Sequence, residues 1–207
     1  MAQGRFAVAR LDDIEALPGP GTLRWSPVRA TLGIRAFGTN AYIADEAGQD
    51  VVEPHTESVE LAHEELYFVA RGRATFRLDG EEIDAPAGTY VFVSDPGVHR
   101  HAVAAEPGTA VLSFGGPPVF TPSAWEWCFR ADPLVDTEPD RAREIVDEGL
   151  GIHPDSPGLL IYRAKLEARA GRTDAARDAV RRALERQPEA AELARDDEHL
   201  RPLLEER

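Results

Sequence analysis

The sequence predicts an α+β protein in two parts, an antiparallel β-barrel or sandwich over residues 1–118 followed by a small all-α domain over 119–207. Three observations carry this. From about residue 22 to 116, short runs rich in β-branched and aromatic residues alternate with turn signals such as "LDGEE", "APAG" and "SDPG", with no helical interval. After "GGPPVFTPS" the texture changes to Ala, Arg, Glu and Leu at helical spacing. In that second part, "DRAREIVDEGLGIHP" (140–154) aligns with "DAARDAVRRALERQP" (174–188) at a constant offset of 34 residues.

The first part reads strand by strand. "RATFRLDGEEIDAP" is a hairpin, because Asp79-Gly80 supplies the positive φ angles of a tight type I′ turn between alternating runs. "TYVFV" (89–93) and "TAVLSF" (109–114) are further strands, the first too uniformly apolar to leave one face in water. "RWSPVRATLGIRAFGTNAY" alternates as a strand pair. Its Arg29, Arg35 and Asn40 could line a pocket for an acidic ligand, or the arginines are exposed and Asn40 belongs to a "GTN" turn.

Composition limits the function. A chain of 207 residues with 43% hydrophobic content can bury a core. The net charge is −14, with 9 basic and 17 acidic residues before 119 and 14 and 20 after it. Neither half has the clustered cations that phosphate neutralisation requires, so no nucleic-acid partner is expected. No apolar run is long enough to span a membrane, and the start "MAQGRFAVARLDDIEALPG" lacks a signal-peptide core; a cytoplasmic location is expected. Cys128 stands alone, so it forms no internal disulfide and is expected to be buried. Twenty-two arginines against one lysine point to a GC-rich, bacterial genome. Trp125 and Trp127 in "SAWEWCF" are expected to join helices to barrel. His153 and His199 are expected near helix ends as caps or surface residues.

Two resemblances follow from the motifs. The 34-residue period, with Ala164, Gly171, Ala176 and Ala183 at small positions and Pro188 as terminator, resembles tetratricopeptide repeats. About one and a half repeats and a closing helix (189–205) are present, with Arg163 and Glu167 standing where that family usually has apolar and aromatic residues. So short an array provides little concave groove. The barrel resembles a cupin, a double-stranded β-helix. Glu65 and Gly72 in "ELYFVARG" have the spacing of the end of the first cupin motif, and 15 residues separate Gly72 from Gly88, where the second begins. Counted from Gly88, the motif histidine falls on His99. The first motif's histidine pair is missing, because positions 58–61 read "SVEL" and offer only Glu60; the turn is shifted to "DPG", and Val103 replaces a common asparagine.

The chemistry-bearing residues leave several ligand sets open. His63, Glu65 and Tyr67 share a face if a strand begins at 63, and His99 and His101 share another. His55 and Glu57 in "EPHTE" could replace the missing pair if the loop after them is longer than usual. The candidate metal ligands are therefore His55, Glu57, His63, Glu65 and His99, in competing sets suited to Fe, Mn, Ni or Zn. Glu65 could ligate, act as a catalytic base, or pair with Arg35 or Arg100. Arg29, Arg35, Asn40, Tyr67 and His101 are the candidate ligand-binding residues. The expected function is small-molecule binding, with a helical tail that meets a protein partner or stabilises a dimer; the alternative is a metal-dependent oxygenase or isomerase acting on a small polar substrate. By the resemblance, the expected assembly is a homodimer.

Overall fold

The computed structural model describes residues 7–195 and 197–205. The chain forms two compact units that divide between Val119 and Phe120.

Among the described residues, the first unit holds ten strands: β1 (Leu17–Pro18), β2 (Arg24–Ser26), β3 (Gly38–Ile43), β4 (Asp50–His55), β5 (Glu64–Arg71), β6 (Arg73–Leu78), β7 (Glu81–Pro86), β8 (Tyr90–Val93), β9 (Arg100–Ala104) and β10 (Ala110–Gly116). They form a six-stranded sheet in the order β1-β2-β3-β10-β5-β8 and a four-stranded sheet in the order β4-β9-β6-β7. All pairings are antiparallel. The period-2 alternation of β5 turns Glu65, Tyr67 and Val69 inward, and that of β6 turns in Ala74 and Phe76. These close one core with Val51, Val52, Val91, Val93, Ala102, Ala104 and Val111. The β6–β7 hairpin turns through Asp79 at φ 49° and Gly80 at φ 89°, the geometry that selects Asp-Gly.

Three sequence expectations change here. The segment 24–42 is not a simple strand pair: a helical turn, α1 (Val28–Leu32), separates β2 from β3, capped by Gly33 at φ 69°. Asn40 lies inside β3, opposite Ser113, and not in a turn. Finally, β8 does not bury both faces. It is an edge strand, paired among the described residues only with β5, and Tyr90 and Phe92 on its outer side are 66% and 58% exposed while Val91 and Val93 enter the core.

The second unit contains α2 (Ala124–Ala131), α3 (Pro139–Ile152), α4 (Pro157–Arg169), α5 (Thr173–Arg186), α6 (Ala191–Arg195) and α7 (Arg201–Glu205). Ser123 and Ser156 cap α2 and α4 by accepting from the N–H groups of Trp125 and Leu159. Trp127 is buried in this unit's own core, with Cys128, Val135, Val146, Leu159 and Leu166. Trp125 is half-exposed and stacks on Phe129. Cys128 is buried, and that burial raises its thiol to about 11. Instead of one closing helix there are two short ones. Asp197 separates them and accepts the N–H groups of His199 and Leu200 through its carboxylate. Among the described residues, no helix is long and apolar enough to cross a membrane.

Candidate functional site

The inner wall of the barrel gathers its polar side chains around Glu65. Strand alternation points Glu65 and Tyr67 inward from β5, while β9 places Arg100 inward on the facing sheet, in line with Ala102 and Ala104. His55 ends β4 directly across from Arg100, after a register irregularity between Val52 and His55 where Pro54 lacks an N–H. Glu57 follows, its own N–H donated to the Pro96 carbonyl at 2.9 Å.

The distances define a tight cluster. His55 Nε2 lies 3.5 Å from Glu57 Oε1 and 3.5 Å from Glu65 Oε2. His63 Nδ1 lies 4.0 Å from Glu57 Oε2. One ligand atom each from His55, Glu57 and Glu65 lies within 4.8 Å of the others. Two donors on a tetrahedral ion at bond lengths of about 2.1 Å stand about 3.4 Å apart, so this spacing and donor set fit a first-row divalent metal.

Glu65 is nevertheless already engaged. Tyr67 donates its hydroxyl to Glu65 Oε2, and Arg100 Nη1 donates to the same oxygen at 3.2 Å. Burial pushes the Glu65 carboxyl up, but hydrogen bonds from His55 and Tyr67 and the charges of His55 and Arg100 outweigh it and hold the group below its ordinary range. Its ionised form suits a ligand better than a proton acceptor. The hydrogen bond to Glu65 raises His55 above its ordinary value against the opposing effect of burial, helped by the Glu53 carbonyl, which lies 2.7 Å from Nδ1. Burial beside the carboxylates raises Tyr67 and also raises Tyr42, the latter to about 12.

Arg100 is fully buried. Its Nη2 donates to the carbonyls of Pro96 and Val98, each at 3.1 Å, and its Nε to Val98 at 3.2 Å. It thus holds the 95–98 turn on which Glu57 is anchored. His99, the residue in motif frame from Gly88, is exposed, and its backbone N–H donates to Asp79. The chain enters the barrel one residue later. Counting three positions from the turn glycine, Gly97, lands on Arg100.

The remaining candidates scatter. His63 precedes β5, which begins at Glu64, yet its ring still reaches the cluster because Gly115 leaves room: a Cβ there would come within 2.6 Å of His63 Nε2. Glu60 is exposed in the 58–63 loop that follows Glu57. His101 faces away from Arg100 and sits 2.9 Å from Asp50 Oδ1. Arg29 and Arg35 are exposed and do not line the cavity that Asn40 lines. Asn40 does line one. A cavity of about 370 Å³ lies between the segment 18–20 with Leu23 and Trp25 on one side and Asn40, Tyr42 and Glu53 on the other. Trp25, Tyr42 and Glu53 escaped the sequence reading; the alternation of Glu53 with His55 across Pro54 was the available signal.

Solved structures of similar fold include a cupin protein from Bacteroides fragilis (18% identity, TM-score 0.42, covering 58% of this chain and 91% of that one). They also include KdgF from a Halomonas species (16%, 0.43, 52% and 92%) and a putative sugar phosphate isomerase from Acidithiobacillus ferrooxidans (17%, 0.44, 53% and 74%). No curated protein matches the chain. The family profile described as the AraC-like ligand binding domain matches residues 38–204. That span takes in β3 to β10 and with them every residue of the cluster around Glu65, and the chain belongs to the family of AraC-like ligand-binding domains.

Proposed function

We propose that this protein binds a small molecule inside its barrel, beside a divalent metal ion held by His55, Glu57 and Glu65, with His63 alongside. The observation that carries this reading is the convergence of these side chains on the inner wall. Metal binding would displace the His55 proton and leave two carboxylates against the single charge of Arg100, a balance that supports a cation. The metal would supply a Lewis-acidic attachment point, and the chain's own residues would orient the ligand through Glu65, Tyr67 and Asn40.

The test is elemental analysis of tag-free protein after incubation with Fe(II), Mn(II), Ni(II) and Zn(II). Near-stoichiometric metal that His55→Ala and Glu57→Ala abolish is the expected result. Protein that takes up none of the four ions and shows no thermal shift with any small molecule would overturn the reading.

A second reading, a metal-dependent oxygenase or isomerase, is favoured by the number of ligands: three protein donors leave coordination positions for substrate. Substrate-dependent oxygen consumption or isomer formation by the metal-loaded protein separates it from binding alone. The helical unit is proposed as an interaction tail. The α4–α5 pair, with Ala164, Ala176 and Ala183 buried and Gly171 at the turn, supports a repeat of the tetratricopeptide kind. The exposed Tyr90 and Phe92 on the edge strand β8 support a homodimer through the barrel edge.

A further inference from the structure

The cavity bounded by Trp25, Asn40, Tyr42 and Glu53 has a lining unsuited to an acid, because its one charged residue is a carboxylate. Glu53 Oε2 is buried and has no hydrogen-bond partner among the described residues. A buried polar oxygen in that position is costly to leave unmatched. Among the described residues, no lysine, arginine or histidine lines the cavity. Arg24, the neighbour of Trp25, lies outside it and pairs with Asp45. Trp25, Tyr42 and Asn40 line the same cavity as Glu53. Proline and indole walls offer nothing to a bare metal ion, whereas aromatic faces with a carboxylate attract a cation that also has apolar surface.

From this we infer that the cavity takes an organic cation, an alkylammonium or guanidinium group, with Glu53 as its counter-ion and Trp25 and Tyr42 as its aromatic walls. The inference rests on the reading of the barrel as a small-molecule binder and names its ligand class. A volume of about 370 Å³ accommodates a compact molecule of this kind. Glu53 lies two residues before His55 on the same strand, so the bound cation would sit next to the metal-capable cluster.

The experiment is calorimetric titration of the full chain with choline, putrescine and agmatine. Choline and putrescine are each paired with a neutral counterpart, 3,3-dimethylbutan-1-ol and butane-1,4-diol, and sorbitol and acetate are run alongside. At least one cation should bind tenfold or more tightly than its neutral counterpart, a difference of about 1.4 kcal/mol. Glu53→Gln should weaken that cation tenfold or more, and Trp25→Leu should weaken it independently, which keeps the test valid if one variant folds poorly. Binding of none of the three cations, equal binding to Glu53→Gln, or preference for sorbitol or acetate would overturn the inference. Metal uptake by the wild-type chain, measured in parallel, separates the two failures. Metal with a neutral or anionic ligand overturns only the ligand class, while neither metal nor any ligand overturns the binding reading as well.

Discussion

Replacing Arg100 by methionine tests both the stability of the inner wall and its appetite for metal. Methionine keeps much of the volume but removes the donor to Glu65 and the donors to the carbonyls of Asp95, Pro96 and Val98. The Glu65 side chain is 11% exposed, so its charge would stay largely out of water with only Tyr67 and His55 to support it. Breaking a buried pair by removing one partner costs about 3–5 kcal/mol, and the two remaining donors put this case near the low end, at about 3 kcal/mol. For a unit of this size that corresponds to a Tm lower by about 12 °C. The same substitution removes a positive charge from beside the metal ligands, so Mn(II) or Zn(II) should bind at least about tenfold more tightly. At a hundred times its Kd, the ion would then restore about 2.7 kcal/mol. Urea unfolding with and without metal, combined with metal titration, reads both effects. A loss below about 1 kcal/mol in metal-free buffer, or a metal affinity that is unchanged or lower, would refute the reasoning.

Three further outcomes follow from the same geometry. Gly115→Ala should push His63 out of the cluster, since the new Cβ would meet His63 Nε2 at 2.6 Å and Glu65 Cγ at 3.0 Å; a cost of about 1–2 kcal/mol and shifted histidine NMR signals are expected. Because His55 is raised by its bond to Glu65, it contributes stability to the metal-free protein that is complete below its unfolded value of 6.5 and is lost as pH rises through the folded value. Metal competes with that proton, so metal affinity measured by titration should climb across the same window. In the helical unit, burial pushes Glu167 up, but hydrogen bonds from Arg172 and Arg143, the Arg143 charge and the Arg163 hydrogen bond outweigh it and hold the group at about 2. Glu167→Gln should cost about 2 kcal/mol, less than for a fully buried cluster because Arg172 is 51% exposed. The wild-type contribution is present above the unfolded value of 4.5 and is lost as pH falls toward 2, which acid unfolding of wild type and variant would show.

Much of the barrel could be read from the sequence because its signals are local. The Asp79-Gly80 turn and the alternation of β5 are each fixed by a handful of adjacent residues. The site was harder, because its members come from β4, the loop after it, β5 and β9, and a single inserted residue changes which side chain faces inward. The step from His99 to Arg100 is such a case: counting from Gly88 ran through a turn whose glycine, Gly97, stands one residue late. Pairing the His55–Glu57 segment with Glu65 depended on a loop length that no local rule sets. The exposure of Tyr90 and Phe92 was invisible for a different reason, since an edge strand and a central one share composition, and only the sheet order distinguishes them. Arg163 and Glu167, departures from the repeat pattern, turn out to be partners at 2.8 Å.

The small β1–β2 ribbon has a practical bearing on how this protein is handled. It precedes residue 38, where the family match begins, yet Trp25 pairs with Tyr42 and the segment 18–25 forms one side of the cavity. A fragment trimmed to the family boundary would keep all four members of the Glu65 cluster while opening the neighbouring chamber to solvent. Ligand screens on such a fragment would sample a half-built receptor, and a negative result there would report on the cloning boundary and not on the protein.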